Sequence, residues 1–590
     1  MKLKNINIGL GLVALVTFSS CADDKFSEYR TDMTKNQKEY QYLNSYKPLK
    51  DYVEEMKAAG KCNPDFKLGI AVDVAEFNKG EIVSSLAGSN FTELTADNAM
   101  KHLSFVKNDG SFKPKTVADF VANAKSLGMT IYGHTLAWHS QQNTAYLRDL
   151  ITDPNAVKHV LHVKIPEAKT QVWDWELYVD PIKPLEKGKT YTLNARVKSE
   201  SEYNVTVWPQ GDATQYWPTP SFVSKKGWTV ISQPFQATQE NIKQIRFELG
   251  TFSGDFWIDD VQLLDPAGNN LIKEGEFEDG GMAGWSKPSW HNYTLDIVND
   301  PDQDISGGGI TDEVRKDTLS WAMGKWIDAM METCDGYVTT WDVVNEAISG
   351  VDKDGDGFYD LQSATRGTVS ADDAKANFYW QDYLGDLDYV RIAVADARKS
   401  FAAHNGDPSK LKLFINDYNL ESTWDNNKKL ESLIHWINEW ESDGVTKIDG
   451  IASQMHVSFN ANPAAQKSQE EHIVRMLQLM ANTGKLVKIS ELDMGYIAED
   501  GETHIMTEDI TEAQHRQMSD FYKFIVSKYF EIVPVAQQYG ITQWCATDSP
   551  ADSGWRKGEP TGLWDRNYLR KQTYVGFAEG LGAEHYENAE

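Results

Sequence analysis

Two segments of this chain end in acids set among polar and aromatic residues: Trp341-Asp-Val-Val-Asn-Glu346 and Lys488-Ile-Ser-Glu-Leu-Asp493. Each closes a short, largely apolar run on a carboxylate, the form of a buried strand that delivers an acid to its end. A pair of such acids facing one another has a defined use. One protonated carboxyl can give a proton to a leaving oxygen while the other, ionised, attacks or directs water, which is the chemistry of glycosidic-bond cleavage. A single glutamate in either context reads as a solvated loop acid. Two, each closing a strand in a polar cluster, read as a site.

The elements that must position these acids follow from the apolar pattern. Short apolar runs ending in polar or charged residues recur at 68–73, 91–95, 130–134, 339–344, 411–415, 450–454, 486–490 and 541–544. Between several of them lie stretches with apolar residues at three- and four-residue spacing, such as 117–125 and 430–437. Eight short buried strands alternating with helices predict an α/β fold, a (β/α)8 TIM barrel whose strand C-termini form the active site. Strands four and seven lie across the mouth from each other, so a sugar chain between them meets Glu346 on one side and Glu491 on the other. The alternation breaks once. Residues 150–305 show period-two patterning with Gly, Pro and Asn breaks, which predicts an antiparallel β-sandwich inserted between strands three and four. The barrel is then assembled from residues 45–149 and 306–590, within the size range of barrels with insertions.

Five segments of the barrel resemble glycoside hydrolase family 10, the endo-β-1,4-xylanases, in family order: Gly133-His-Thr-Leu-Ala-Trp-His-Ser-Gln141, Trp341-Asp-Val-Val-Asn-Glu346, Asn416-Asp-Tyr-Asn419, Gly450-Ile-Ala-Ser-Gln-Met-His456 and Ser490-Glu-Leu-Asp493. The resemblance implies a retaining double displacement on xylan and xylo-oligosaccharides, with Glu346 as acid/base, Glu491 as nucleophile, and His456 with Asp493 as a relay keeping Glu491 ionised. Asp342 matches a position near the acid/base. Asn345 resembles the residue that bonds the sugar 2-hydroxyl. Asn98, Lys101, His134, Trp138, Gln141 and Gln454 match glycone-side binding positions. Trp544 and Trp555 look like the pair that roofs the site and disfavours a hexose hydroxymethyl group, which ranks xylan above cellulose. The chain departs from the pattern at Asp97, where the family has Glu, at Ala99 and His102, and at Gln142-Asn-Thr144, where Pro and Trp are common.

The insert carries Lys187-Gly-Lys-Thr-Tyr-Thr-Leu193 and Gly254-Asp-Phe-Trp-Ile-Asp-Asp-Val261, which resemble strands of carbohydrate-binding modules of families 4 and 22. A segment like Asn270-Leu-Ile-Lys-Glu-Gly-Glu-Phe-Glu278 usually opens such modules and here comes last, so the module is either circularly permuted, the preferred reading, or followed by a truncated second copy. Trp173, Trp175, Trp208, Trp217 and Trp290 are the candidate platforms for stacked sugars. Asp352, Asp354 and Asp356 resemble the start of an EF-hand-like calcium loop, but its twelfth position is Ser363 rather than Glu. A solvated acidic turn is the preferred reading and calcium the minor alternative; no other metal or cofactor is expected.

Charge and ends bound the partners. With 58 basic against 87 acidic residues in 590, the net charge of −29 disfavours nucleic acid and anionic lipid. The start, Met1-Lys-Leu-Lys4, an apolar run over 8–18 and Ser19-Ser-Cys21, resembles a bacterial lipoprotein signal over residues 1–20 with Cys21 lipidated. Residues 21–44 then form a polar tether. Ala22-Asp-Asp-Lys25 looks like the tag of outer-membrane lipoproteins exposed at the cell surface. Cys62, Cys334 and Cys545 make neither a zinc pattern nor a disulfide framework. Two rival readings remain on sequence: an exo-acting xylosidase or other β-1,4-glycanase on the same barrel, and a non-catalytic surface glycan-binding lipoprotein.

Overall fold

The computed structural model describes residues 41–152, 158–212, 219–302 and 310–586. The expected signal, Cys21, most of the tether and Trp217 lie outside the described residues. The chain forms two compact units, one from residues up to Ile151 and from Thr311 onward, the other Thr152–Ile310.

In the first unit eight parallel strands close on themselves: β1 (Lys67–Val72), β2 (Glu93–Ala96), β3 (Thr130–Ala137), β4 (Thr340–Asn345), β5 (Lys412–Asp417), β6 (Gly450–Ser453), β7 (Leu486–Ile497) and β8 (Gln538–Gln543). Each pairs with the next, and β8 returns to β1 with Lys67 opposite Gly540. This is the (β/α)8 barrel expected from the alternation. Strands buried on both faces read as continuous apolar runs, and every residue of β4 is buried. The intervening helices turn one apolar stripe inward: helix Lys115–Ser126 buries Val117, Phe120, Val121 and Ala124. Among the described residues no helix is long and apolar enough to cross a membrane. Cys62, Cys334 and Cys545 are free and buried.

Two irregularities decide what the strands deliver. Strict alternation sends neighbouring side chains to opposite faces. Between Asp342 and Val344 the register of β4 shifts against both β3 and β5, and between Ile489 and Leu492 that of β7 shifts against β8. Such shifts re-aim side chains. They let Ser490 and its neighbour Glu491 turn to the same partner, Asn416, and let Asp342 and Asn345 do likewise. The close approach of β3 and β4 also explains Gly133, where a Cβ would lie 2.1 Å from the Trp341 ring.

The second unit is a sandwich of two five-stranded antiparallel sheets. Strand Thr190–Ser199 alternates burial along its length, sending Tyr191, Leu193, Ala195 and Val197 into the sandwich core. Its first strand, His159–Ile165, pairs with its last, Thr294–Asn299, with His159 opposite Asn299. Entry and exit therefore lie side by side, as an inserted domain requires.

Candidate active site

The centre of the site is Asn416 at the end of β5. Its Oδ1 accepts from Ser490 Oγ at 2.7 Å, which fixes the amide orientation. Its Nδ2 then donates to Glu491 Oε1 at 2.8 Å, with longer contacts to Asn345 Oδ1 (3.1 Å) and Asp342 Oδ2 (3.3 Å). The backbone carbonyl of the same residue accepts from Glu346 N at 2.8 Å. Gln454 makes a second bridge: its Nε2 donates to Glu346 Oε1 at 2.9 Å, and its carbonyl accepts from Glu491 N at 3.0 Å. The two glutamates thus share two hydrogen-bonded neighbours, and the structure brings them together, Glu346 just past the end of β4 and Glu491 midway along β7, which runs on to Ile497 instead of closing at the acid.

Glu346 follows β4 in a left-handed conformation, φ 54°, which a non-glycine residue holds only when its surroundings fix it. They do so from both sides, through Glu346 N on Asn416 and through Gln362 Nε2, which donates to Glu346 O at 2.9 Å. The carboxylate is held by Gln454 on one oxygen and by Trp138 Nε1 on the other, at 2.9 Å each.

Glu491 is nearly fully buried. Burial pushes its carboxyl up, but the electrostatic pull of His134 and the hydrogen bonds from His456 and Asn416 outweigh it, so its pKa is lowered. His456 Nε2 stands 3.3 Å from Glu491 Oε2, and its Nδ1 stands 3.1 Å from Asp493 Oδ2. Asp493 also takes Trp555 Nε1 (2.8 Å) and Arg556 Nη1 (2.9 Å). Burial opposes ionisation of Asp493 too, yet His456 and Arg556 hold its pKa below the usual carboxylate range. Burial pulls the His456 imidazole down, and the charges of Asp493 and Glu491 override it, raising it to about 10. A raised folded-state value means that His456 contributes stability fully below its unfolded value of 6.5, and that this is lost as pH rises through about 10. The melting temperature should therefore fall as pH rises from ~6.5 to ~10, and His456→Asn should flatten that fall in a thermal-melt series. An identical slope in the two proteins would remove the charged imidazole from the account.

The other expected residues fall as follows. His134 Nδ1 contacts Asp342 Oδ2 at 2.8 Å, and its ring packs 5.9 Å from Trp544. Trp544 is also 6.1 Å from His456, and Trp555 packs edge-on against His456 at 4.5 Å, so the two Trp wall the nucleophile side. Lys101 donates to Asn98 Oδ1 at 3.2 Å and sits over the Trp138 ring at 5.1 Å. Asp97, the short replacement, accepts from Asn98 Nδ2. Gln141 is half-buried at φ 46°, its carbonyl accepting from Leu103 N. His102, where the family often has Trp, is core: its Nδ1 faces Asn143 N at 3.0 Å, it packs on Trp326, and burial drops its pKa to about 3. Sequence reasoning assigned no role to Asn416, though its motif was visible, and none to Arg556, whose only signal is that it follows Trp555. Asp352, Asp354 and Asp356 lie within 4.8 Å of one another. Lys428 Nζ contacts Asp352 at 3.0 Å, and loop amides donate to all three carboxylates.

The second unit holds a separate cleft of about 1130 Å³ lined by Trp173, Trp175, Trp208 and Trp290 with Glu176, Arg246 and Glu248. Trp173 is 56% and Trp290 77% exposed, whereas Trp175 is buried and packs on His291 and Tyr293. Glu248, 4% exposed, is raised to about 7 by burial and by the charge of Glu176.

A closed parallel barrel with two carboxylates bridged at its mouth defines a (β/α)8-barrel protein with a two-acid site. Residues 57–176 and 290–580 match the family model described as Glycosyl hydrolase family 10, and the chain belongs to that family. Among curated relatives, Endo-beta-1,4-xylanase Xyn10C of Cellvibrio japonicus is 28% identical over 257 residues, 42% of this chain and 37% of that protein. The chain spans between a quarter and two fifths of the length of the first relatives it matches. Xylanase B from Clostridium stercorarium F9, a crystal structure, is 16% identical with a TM-score of 0.50 over 90% of this chain and 99% of its own, a likeness of fold. A solved structure named PbXyn10C CBM APO is 61% identical, covering 27% of this chain and all of its own, with a TM-score of 0.26.

Proposed function

We propose that this chain is an endo-1,4-β-xylanase that cleaves internal linkages of xylan by a retaining double displacement. The observation that carries it is the double bridge, through Asn416 and Gln454, between Glu346 and Glu491. Glu491, its negative charge supported by His456 and Asn416, is suited to attack the anomeric carbon and form a glycosyl ester. Glu346, held by Trp138 and Gln454, is suited to protonate the leaving oxygen and then to take a proton from the incoming water. Asn345 Nδ2 is buried and bonds to no described residue, and its Oδ1 shares Asn416 with Glu491, so the site offers a donor suited to a sugar hydroxyl. Trp544 and Trp555 crowd the wall beside the nucleophile, which favours a pentose over a hexose. The relatives named as endo-xylanases support the same substrate. Non-catalytic glycan capture does not call for opposed, bridged acids. Incubation with linear β-1,4-xylan and separation of the products tests the reading. Mixed short oligomers are expected; xylose alone would mean an exo-acting enzyme, and no products would mean capture.

For the second unit we infer a carbohydrate-binding role, because Trp173 and Trp290 expose flat faces in a cleft that also offers carboxylate and guanidinium groups. Trp173→Ala and Trp290→Ala should each weaken retention on insoluble xylan about 3- to 10-fold in a depletion assay, the scale of one lost stacking contact. Unchanged retention in both variants would leave the insert a spacer. Export and a lipid anchor at Cys21 complete this reading, placing the enzyme at the outer cell surface where polymeric xylan is met.

A further inference from the structure

Beneath the site, inside the barrel, lies a set of polar side chains that the reaction as described does not use. Lys488 of β7 and Glu93 of β2, both fully buried, form an ion pair at 2.9 Å. Tyr539 of β8 donates to the other Glu93 oxygen at 2.9 Å. The Lys488 ammonium lies 4.0 Å from the centroid of the Tyr132 ring, and Phe414 and Tyr539 pack around that ring at 5.9 and 6.0 Å. The Tyr132 hydroxyl donates to Asp342 Oδ1. A buried ion pair carries a desolvation cost that an apolar pair of similar volume avoids, so barrel packing alone does not account for it.

We propose that Tyr132, seated on the Glu93–Lys488 pair, is a positioning residue that holds the Asp342 carboxyl in place, and through Asp342 aligns His134 and Asn416 on the nucleophile Glu491. The inference rests on the hydrolytic reading of Glu346 and Glu491. Its contacts are continuous. Asp342 Oδ2 faces His134 Nδ1 at 2.8 Å and takes Asn416 Nδ2 at 3.3 Å, and the same Asn416 amide donates to Glu491. With Asp342 as acceptor, His134 donates from Nδ1 and its ring is held in one orientation beside the nucleophile. A cation against a phenol ring draws electron density from it and makes its hydroxyl a better donor. Asp342 needs such a donor: it is wholly buried, and burial holds its pKa above the usual carboxylate value even against the lowering contacts of His134 and Tyr132. Around it stand Tyr132 and His134 from β3, neutral Asn416 from β5, Glu491 from β7, whose charge opposes ionisation, and Tyr539 from β8. Without the Tyr132 hydroxyl, Asp342 should take up a proton at higher pH. It would then no longer accept from both His134 and Asn416.

The test compares wild type, Tyr132→Phe and the double variant Glu93→Gln/Lys488→Met, measuring kcat against pH on an aryl β-xylobioside together with thermal melts. Tyr132→Phe should lower kcat near neutrality about 10- to 100-fold, the effect of one hydrogen bond to a buried charge, and move the acid limb to higher pH. The double variant removes the charge beneath the ring as a pair. It should fold with near wild-type stability and shift the acid limb in the same direction by less. Should Tyr132→Phe fail to fold, the pH profile of the double variant decides. Either folded variant keeping the wild-type kcat and acid limb overturns the proposal, as does a loss equal at every pH, which packing damage alone produces. An active wild type with unaffected variants overturns only this role, whereas a wild type inactive on every xylan substrate overturns the hydrolytic reading as well.

Discussion

Glu491→Ala should stop turnover of linear xylan almost completely, lowering kcat by about 10⁵-fold or more, the scale seen when a nucleophile is deleted and only binding and positioning remain. Affinity for xylo-oligosaccharides should stay close to that of wild type. The reason lies in how the site divides its work. On the proposed reading, the contacts that would hold substrate are spread over Trp138, Asn345, Lys101, His134 and the Trp544–Trp555 wall. The ester that splits the reaction into two steps needs an oxygen where Glu491 stands. The fold should tolerate the change: Asp493 keeps Trp555, Arg556 and His456, and removing one of two carboxylates beside His456 lowers the imidazole pKa without stripping its partner. Reducing-end release and calorimetric titration with a xylo-oligosaccharide, run on the same preparation, measure the two quantities. Residual kcat above about 1% of wild type would assign the nucleophile elsewhere, since even the loss of general acid–base help costs about 10²-fold. Lost affinity with a normal melting curve would show that Glu491 binds rather than reacts.

Much of the barrel was legible because its signals are local. A strand buried on both faces announces itself as an apolar run, and an acid at its end announces the mouth, so β4 with Glu346 and β7 with Glu491 could be placed from their own residues. What alternation could not show is how neighbours such as Ser490 and Glu491 reach one partner, because the register shift belongs to the pairing of β7 with β8 and not to either strand's composition. Long-range pairing hides other parts for the same reason. Glu93 and Lys488 look like ordinary charged residues until the barrel closes and buries both. Arg556 gains a role only when its loop meets Asp493 and Glu559. His102 was visible as a departure from the family pattern, but only packing on Trp326 shows why a histidine sits there neutral. In the sandwich the period-two pattern located the strands, while the choice of Trp173 and Trp290 over Trp175 as exposed faces required the sheets themselves.

Glu346→Ala should give a loss that depends on the leaving group, and this dependence identifies the residue more sharply than any single rate. A xylan leaving group departs as an alkoxide unless it is protonated, so turnover of the polymer should fall about 10³- to 10⁴-fold, toward the upper end of what general acid catalysis supplies. An aryl xylobioside whose phenol is already acidic needs no proton. Its first step should proceed, Glu491 attacking the anomeric carbon as the phenolate leaves. The second step then stalls, because no carboxylate remains to take a proton from the attacking water. The expected trace is a burst of phenol stoichiometric with enzyme, followed by slow release. Azide is an anion that needs no deprotonation, and it should enter the space left between Trp138 and Gln454. Its attack on the anomeric carbon breaks the bond to Glu491, restores steady turnover and yields a glycosyl azide. Two inversions at that carbon make the product β when Glu491 is the nucleophile. An α-azide would mean direct displacement with no covalent intermediate. Equal losses on polymer and aryl substrate, without burst or azide effect, would take proton transfer away from Glu346 and leave it a binding residue.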